Sequence, residues 1–471
     1  MVDDARRHLD SHERGQFAAQ LRRLRERAGL SLGEIAERAH VNRGYVGHIE
    51  HGQRWPSRSV AIALDDALDA RGTLLTVWTL GACADAPAVV RAESEDKTLS
   101  LPLAEWTAAD GESLAERLAI GSDHAVAPTT VRRLVHEWLV TETPQTVEVT
   151  TGRRIGMGMV DTVTRRVAQL RRVDDFIAGR ELQPLVEREL RATARLLDKA
   201  AYTDQVGRAL LNAVAELCQL AGWVTVDAGA PQRAVRYLAL GVHAAHAAGD
   251  RPTAANLVST LAYQVANLDD PHEAVLLASS ATAGARGHAS ATTRALLEER
   301  VAWAHARAGD IRHTERALSA VDTEYDRRRP ADDPEWVYWL DEDEIAVMAG
   351  RCYVELGRPS QAIPLLTEVM ARYDERQTRE SALYTSWLAE AHVQVGDVEH
   401  AATLAERTLE LSSSTSSSRG DDRVTFLAQR LAPYRAVSAV HDFLEHDAER
   451  RTAARPRMTG TRLPADDLAT S

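Results

Sequence analysis

Cysteine is nearly missing from this chain. Cys83, Cys218 and Cys352 stand far apart and form no CxxC pair. That spacing excludes a disulfide-stapled scaffold and a zinc ribbon, and it suits a reducing, cytoplasmic setting. Aromatic residues make up only 5%. No stretch reaches the roughly 18 apolar residues of a membrane helix, and the start, MVDDARRHLD, lacks the apolar core of a signal peptide. Glycines 152, 156 and 158 form no GxGxxG pattern and no Lys-Ser or Lys-Thr pair follows them, so a phosphate loop is not expected. HExxH is absent, and His243 and His246 lie three apart without a third ligand. With no nucleophile triad either, no catalytic residue, metal or cofactor is assigned, and an enzyme is not expected.

Ala, Leu, Arg and Glu dominate instead. These residues lose little freedom in a helix, so an all-α chain is expected. At 471 residues, two or three units should be present. The formal net charge is −13, yet positions 14–58 carry nine arginines against four glutamates. A local surplus of five on an acidic chain is the footprint of a polyanion partner, confined to one region.

That region holds the stretch SLGEIAERAHVNRGYVGHIEHGQRWP, residues 31–56. Ser31 with Glu34 reads as a capping box, and Asn42 as the cap of the next helix. Five short helices are expected over 14–80: Phe17–Ala28, one after Ser31, one after Asn42, one over Ser59–Ala70 capped by Ser57, and Thr73–Leu80. Ile35, Ala36, Ala39, Val41, Val46 and Ile49 should pin the second and third at a fixed angle, which is helix-turn-helix geometry. The third helix then exposes Asn42, Arg43, Gly44, Tyr45, Gly47 and His48. Arg43 is the best base reader, because its fork matches guanine O6 and N7. Arg54 and Arg58 suit phosphates, with Arg22, Arg25 and Arg38 as weaker candidates. Glu50 reads as a structural residue bonding near helix ends. His8, His12, His40, His48 and His51 read as polar surface groups.

Positions Leu21, Leu24, Ala28-Gly29-Leu30, Ile35-Ala36, Val41, Val46, Ile49-Glu50, Gly52 and Pro56 resemble the Cro/C1-type (XRE) helix-turn-helix of phage repressors. The resemblance covers about an eighth of the chain and implies duplex DNA as partner. One departure stands out: where that family often has Gln at the start of the second helix, this chain has Leu32.

Residues 81–160 read as linker, with one helix expected at 131–140 and a glycine hinge. From 161 to 446 a repeat appears. A turn at Gly229, Asp269, Gly309, Gly357 or Gly396 is followed five residues on by Ala234, Ala274, Thr314, Ala362 or Ala401. Those second positions are spaced 40, 40, 48 and 39 apart. Twelve residues before each stands a small residue: Gly222, Ala262, Ala302, Gly350 or Ala389. Small residues at a fixed offset let two helices of a hairpin approach closely. The pattern resembles tetratricopeptide (TPR) repeats with a longer period, which implies an α-solenoid with a concave binding face. Ser412–Gly420 reads as a loop and 447–471 as a disordered tail.

Trp336, Tyr338 and Trp339 precede the acidic run from Asp341 to Glu344. They suit either repeat packing or an anchor for a ligand. Tyr263, Asn267, Trp303, His305 and Arg351 are further candidates for a ligand groove. A helix-turn-helix joined to such repeats resembles peptide-responsive regulators and their actinobacterial counterparts. It implies a homodimer that senses a peptide, a small molecule or a protein. The alternative is an interaction adaptor with a weak DNA head, motivated by Leu32, Gly44 and Gly47.

Overall fold

The computed structural model describes residues 17–18, 21–25, 28–39, 41–51, 56, 58–68, 70, 74, 105–119, 126–177, 179–268, 270–372, 378–413 and 418–454. They fall into two compact units, Met1–Asp96 and Lys97–Ser471.

In the first unit, residues 17–18 and 21–25 are helical, followed by α1 (Leu32–Arg38), α2 (Arg43–Glu50) and α3 (Arg58–Ala67). Both predicted caps are in place. Ser31 Oγ accepts from the Glu34 amide and the Glu34 carboxylate accepts from the Ser31 amide. Asn42 Oδ1 accepts from the Gly44 and Tyr45 amides. Phe17, Leu21, Ile35, Val46, Ile49 and Leu64 form the core. Leu74 is helical and buried, and its amide donates to the buried Asp65 carboxylate at 2.7 Å. The rest of the predicted fifth helix, and the proposed Ser57 cap, lie outside the described residues.

The second unit begins earlier than the sequence suggested. The expected linker over 81–160 gives way, from residue 105, to folded structure. There stand β1 (Glu105–Trp106), α4 (Ala108–Ala119), α5 (Pro128–Val140), β2 (Thr146–Val147) and β3 (Arg153–Arg154). β1 pairs in parallel with β2, and β3 with β4 (Ala200–Ala201). Trp106, Leu114, Leu134 and Trp138 belong to the main core. Two helices follow, α6 (Met157–Asp174) and α7 (Gly179–Lys199).

Six antiparallel hairpins then stack in a solenoid-like array: α8 (Asp204–Asp227) with α9 (Pro231–Ala248), α10 (Arg251–Asn267) with α11 (Pro271–Ala285), and α12 (Ala291–Arg307) with α13 (Ile311–Tyr325). They continue with α14 (Glu342–Glu355) and α15 (Pro359–Met370), α16 (Thr378–Val395) and α17 (Val398–Ser413), and α18 (Ser418–Leu431) and α19 (Ser438–Ala454). The small residues of the repeat sit where two helices touch. A Cβ on Gly222 would come within 2.7 Å of Leu238, and one on Gly350 within 2.8 Å of Leu366. Ala262, Ala302 and Ala389 are fully buried, as are Ala234, Ala274, Thr314, Ala362 and Ala401. The turn glycines 229, 309, 357 and 396 have φ of 86°, 73°, 65° and 82°, a left-handed conformation that glycine adopts at no steric cost. The fifth turn position, Asp269, lies outside the described residues.

Three local expectations change. Helix α8 has an 18-residue window of mean hydropathy 1.4, long and apolar enough for a membrane span, but 67% of that window is buried inside the array. Ser412 and Ser413 close α17, and Ser418 to Gly420 open α18, so only 414–417 of the serine run falls outside the described residues. Helix α19 extends to Ala454, eight residues into the expected tail.

Candidate functional sites

Helix α2 presents one face to its own core and the other to solvent. Val46, Ile49 and Glu50 are buried, while Asn42, Arg43, Gly44 and His48 are exposed. Tyr45 is half-buried against the core. Asn42 is spent on the cap, so its carboxamide oxygen is engaged before any ligand arrives. Arg43 stands at the first turn, where a recognition helix meets base edges. Gly47 has open space around it, so no packing demands its small size. A Cβ on Gly44 would lie 3.1 Å from Asn42 Oδ1, a close approach that the cap does explain. Arg54 lies outside the described residues, and Arg58 opens α3.

Two of the weaker phosphate candidates have a different task. Arg25 grips Glu50 with both arms, Nε to Oε2 at 2.8 Å and the terminal nitrogen to Oε1 at 2.6 Å. Its remaining nitrogen donates to the Leu30 carbonyl. Arg22 Nε adds a third bond to Glu50 at 3.2 Å. Hydrogen bonds from Arg25 chiefly, then Arg22, hold the Glu50 carboxyl below the usual carboxylate range despite its burial. Glu50 therefore ties the first helix to the end of α2, which sets the angle at which Arg43 is shown.

In the second unit, the first helix of each hairpin faces a cavity of about 420 Å³. Of the predicted ligand residues, Tyr263, Trp336, Trp339 and Arg351 line it. Trp303 and Asn267 stand outside that lining, bonded to each other through Trp303 Nε1 at 3.2 Å. His305 lies elsewhere, at the α12–α13 turn with Asp310 and His313. Asp310 is the cap of α13 and pairs with His313 at 2.7 Å, which accounts for that group of three.

From that lining into the core behind it runs an aromatic ladder interleaved with guanidinium groups. Trp223, Tyr263 and Trp303 follow at 6.0 and 6.2 Å, and Trp387 meets Trp303 edge-on at 5.8 Å. Arg419 lies over Trp223 at 4.7 Å, Arg300 over Tyr263 at 4.6 Å, Arg351 over Trp303 at 4.5 Å and Arg423 over Trp387 at 3.9 Å. Desolvated stacks of this kind are each worth about 2 kcal/mol. Sequence reasoning missed Trp223, though a signal was there. Trp223, Tyr263, Trp303 and Arg351 all stand one residue after the small residue of their repeat. The missed cations, Arg171, Arg300, Arg379 and Arg419, follow no such register.

The eight residues by which one repeat spacing exceeds 40 have a structural counterpart. Between α13 and α14, two 3-10 turns, Pro330–Asp332 and Glu335–Val337, fold the chain over the cavity. Trp336 is buried with Tyr325, Val337 and Leu340. The Tyr338 hydroxyl bonds to both Asp175 oxygens, at 2.7 and 2.9 Å, so the insertion is latched to the end of α6.

Asp174, at that same end, lies among buried cations. Burial pushes its carboxyl up to about 6, against the pull of Arg379 and Arg419. The folded state thus holds this proton more tightly than the unfolded chain, where Asp titrates near 3.9. Stability from this group is present below about pH 4 and falls as pH rises to about 6, by at most about 3 kcal/mol. Urea unfolding across that range should show the slope, and Asp174→Asn should flatten it. An unchanged slope would assign the proton to another buried acid such as Glu216 or Glu299, whose carboxyls burial also raises.

Comparison with known proteins bears on the first unit. Residues 16–78 match a family described as a helix-turn-helix domain. No curated protein matches the chain. The chain therefore carries an N-terminal helix-turn-helix DNA-binding domain, followed by a helical-hairpin array.

Proposed function

We propose that this chain is a cytoplasmic, homodimeric transcription regulator of the Cro/C1 (XRE) type, actinobacterial in style, with a TPR-like sensing domain. The observation that carries the reading is the exposed first turn of α2, with Arg43 on a helix-turn-helix whose angle Glu50 fixes. One short recognition helix covers few bases, so two heads on half-sites one helical turn apart would supply affinity and register. The array dimerises the chain and holds an effector. A cavity of about 420 Å³ falls within the size range of small-molecule sites and is small for a peptide or a protein surface. An effector that prefers one curvature of the array shifts the spacing of the two heads. The chain binds and reports; it does not transform its ligand.

Mapping of bound genomic DNA, followed by a gel shift on the recovered sites and on the chain's own promoter region, tests this. Arg43→Ala should weaken the preferred site by about 1–3 kcal/mol and relax specificity at one base pair. Equal loss on every sequence would reassign Arg43 to phosphate. The adaptor reading keeps one supporting observation, the bare helix surface at Gly47. Binding that is weak on all DNA and steeply salt-dependent would favour it.

A further inference from the structure

We infer that the cavity is built for a small, singly charged organic acid whose carboxylate docks on Arg351. This deepens the effector reading and rests on it. Arg351 is 6% exposed and lines the cavity. It forms no ion pair among the described residues; one terminal nitrogen donates to the Tyr263 hydroxyl at 2.9 Å, and Nε has no partner.

Every other guanidinium of the wall already has its carboxylate. Arg171 pairs with Glu216 at 3.6 Å, Arg300 with Glu299 at 3.2 Å, and Arg419 with Asp227 at 2.9 Å. Arg379 reaches Asp174 and Asp227 at 3.5 Å and Glu380 at 3.3 Å. A buried charge without a counter-ion costs several kcal/mol, and an incoming anion recovers part of that. Selection against phosphate follows from the surroundings. Six carboxylates line the same cavity, so one unpaired guanidinium balances one negative charge and not two. Selection against an amine follows from Arg351 itself. The acid's apolar body has Tyr263, Trp223, Trp336 and Trp339 to lie against, with Met348 and Leu383 closing the space.

The test presents the full-length protein with a panel of aryl and heteroaryl carboxylic acids, each beside its primary amide and its amine, read by native mass spectrometry. Acids should be retained over their matched amides by about tenfold. Arg351→Met should abolish that preference. The variant should also melt close to the parent when free of ligand, because relief of an unpaired buried charge offsets the lost stack over Trp303 and the lost bond to Tyr263. Retention of amides equal to acids, preference for amines, or retention of no acid would each overturn the inference. So would a large loss of stability in Arg351→Met, which would make the arginine structural. A retained acid is then added to a gel shift. If it leaves DNA affinity unchanged, the effector reading fails while the ligand class stands.

Discussion

Glu50→Ala should abolish binding to every DNA sequence alike while leaving the helical array folded. Glu50 is 4% exposed and accepts three bonds from two arginines. Removing one partner of a buried pair costs about 3–5 kcal/mol, because the other charge stays desolvated. Arg22 is half exposed and can return to water, but Arg25, 15% exposed, cannot do so without moving the first helix. A domain of about 60 residues has only a few kcal/mol in reserve. The head should therefore unfold largely at 25 °C. Limited proteolysis of the full chain, with a melt monitored by circular dichroism, separates this from a contact effect. The head should be digested early and the main transition of the array should remain. Glu50→Gln keeps the shape and one acceptor oxygen, so it should fall between parent and Ala. The pH sign agrees: the carboxyl is held below its ordinary value, so its contribution is present above about pH 4.5 and is lost as pH falls further. A protease-resistant Glu50→Ala head with specific binding intact would show that Arg25 finds another acceptor.

The same pair shows where sequence reading stops. Arg22, Arg25 and Arg43 look alike along the chain, and only the fold reveals that two of them meet a glutamate 28 and 25 residues away. Caps were readable because their partners lie three residues off, as Ser31 with Glu34. The hairpins were readable for a related reason. Close helix contact demands a small residue, and Gly222 against Leu238 repeats at a constant period. Residues 105–160 were not readable, because β1 to β3 are two residues long and pair with strands 41 to 47 residues on, leaving no periodicity to detect. The cavity was half readable. Trp223 and Tyr263 keep repeat register, and the insertion that covers it shows as a spacing of 48. Its cations come from any helix that reaches, so no spacing marks them.

One feature of the array had no sequence signal at all: it closes on itself. Asp227, the last residue of α8, is fully buried and receives the Gly179 amide at 2.9 Å, Arg419 Nε at 2.9 Å and Arg379 at 3.5 Å. These donors come from α7, α16 and α18, so one carboxylate joins the start of the array to hairpins 152 and 192 residues later. The Ser418 hydroxyl adds a bond to the Asp227 carbonyl at 2.8 Å. Asp227→Ala strands the Gly179 amide and the Arg419 guanidinium in one step, and should cost about 3–5 kcal/mol in urea unfolding. The loss should exceed that of Asp227→Asn, which keeps an acceptor for Arg419 but not the charge. Arg379 retains Asp174 and two backbone carbonyls, so collapse falls mainly on α18 and the cavity wall it carries. Hydrogen exchange should accordingly rise first in 418–431, and retention of any carboxylate ligand should fall with it. The opposing expectation is an array that stays open in solution, with Asp227 hydrated. There an exposed ion pair is worth at most about 1 kcal/mol, and Asp227→Ala would leave exchange in α18 unchanged.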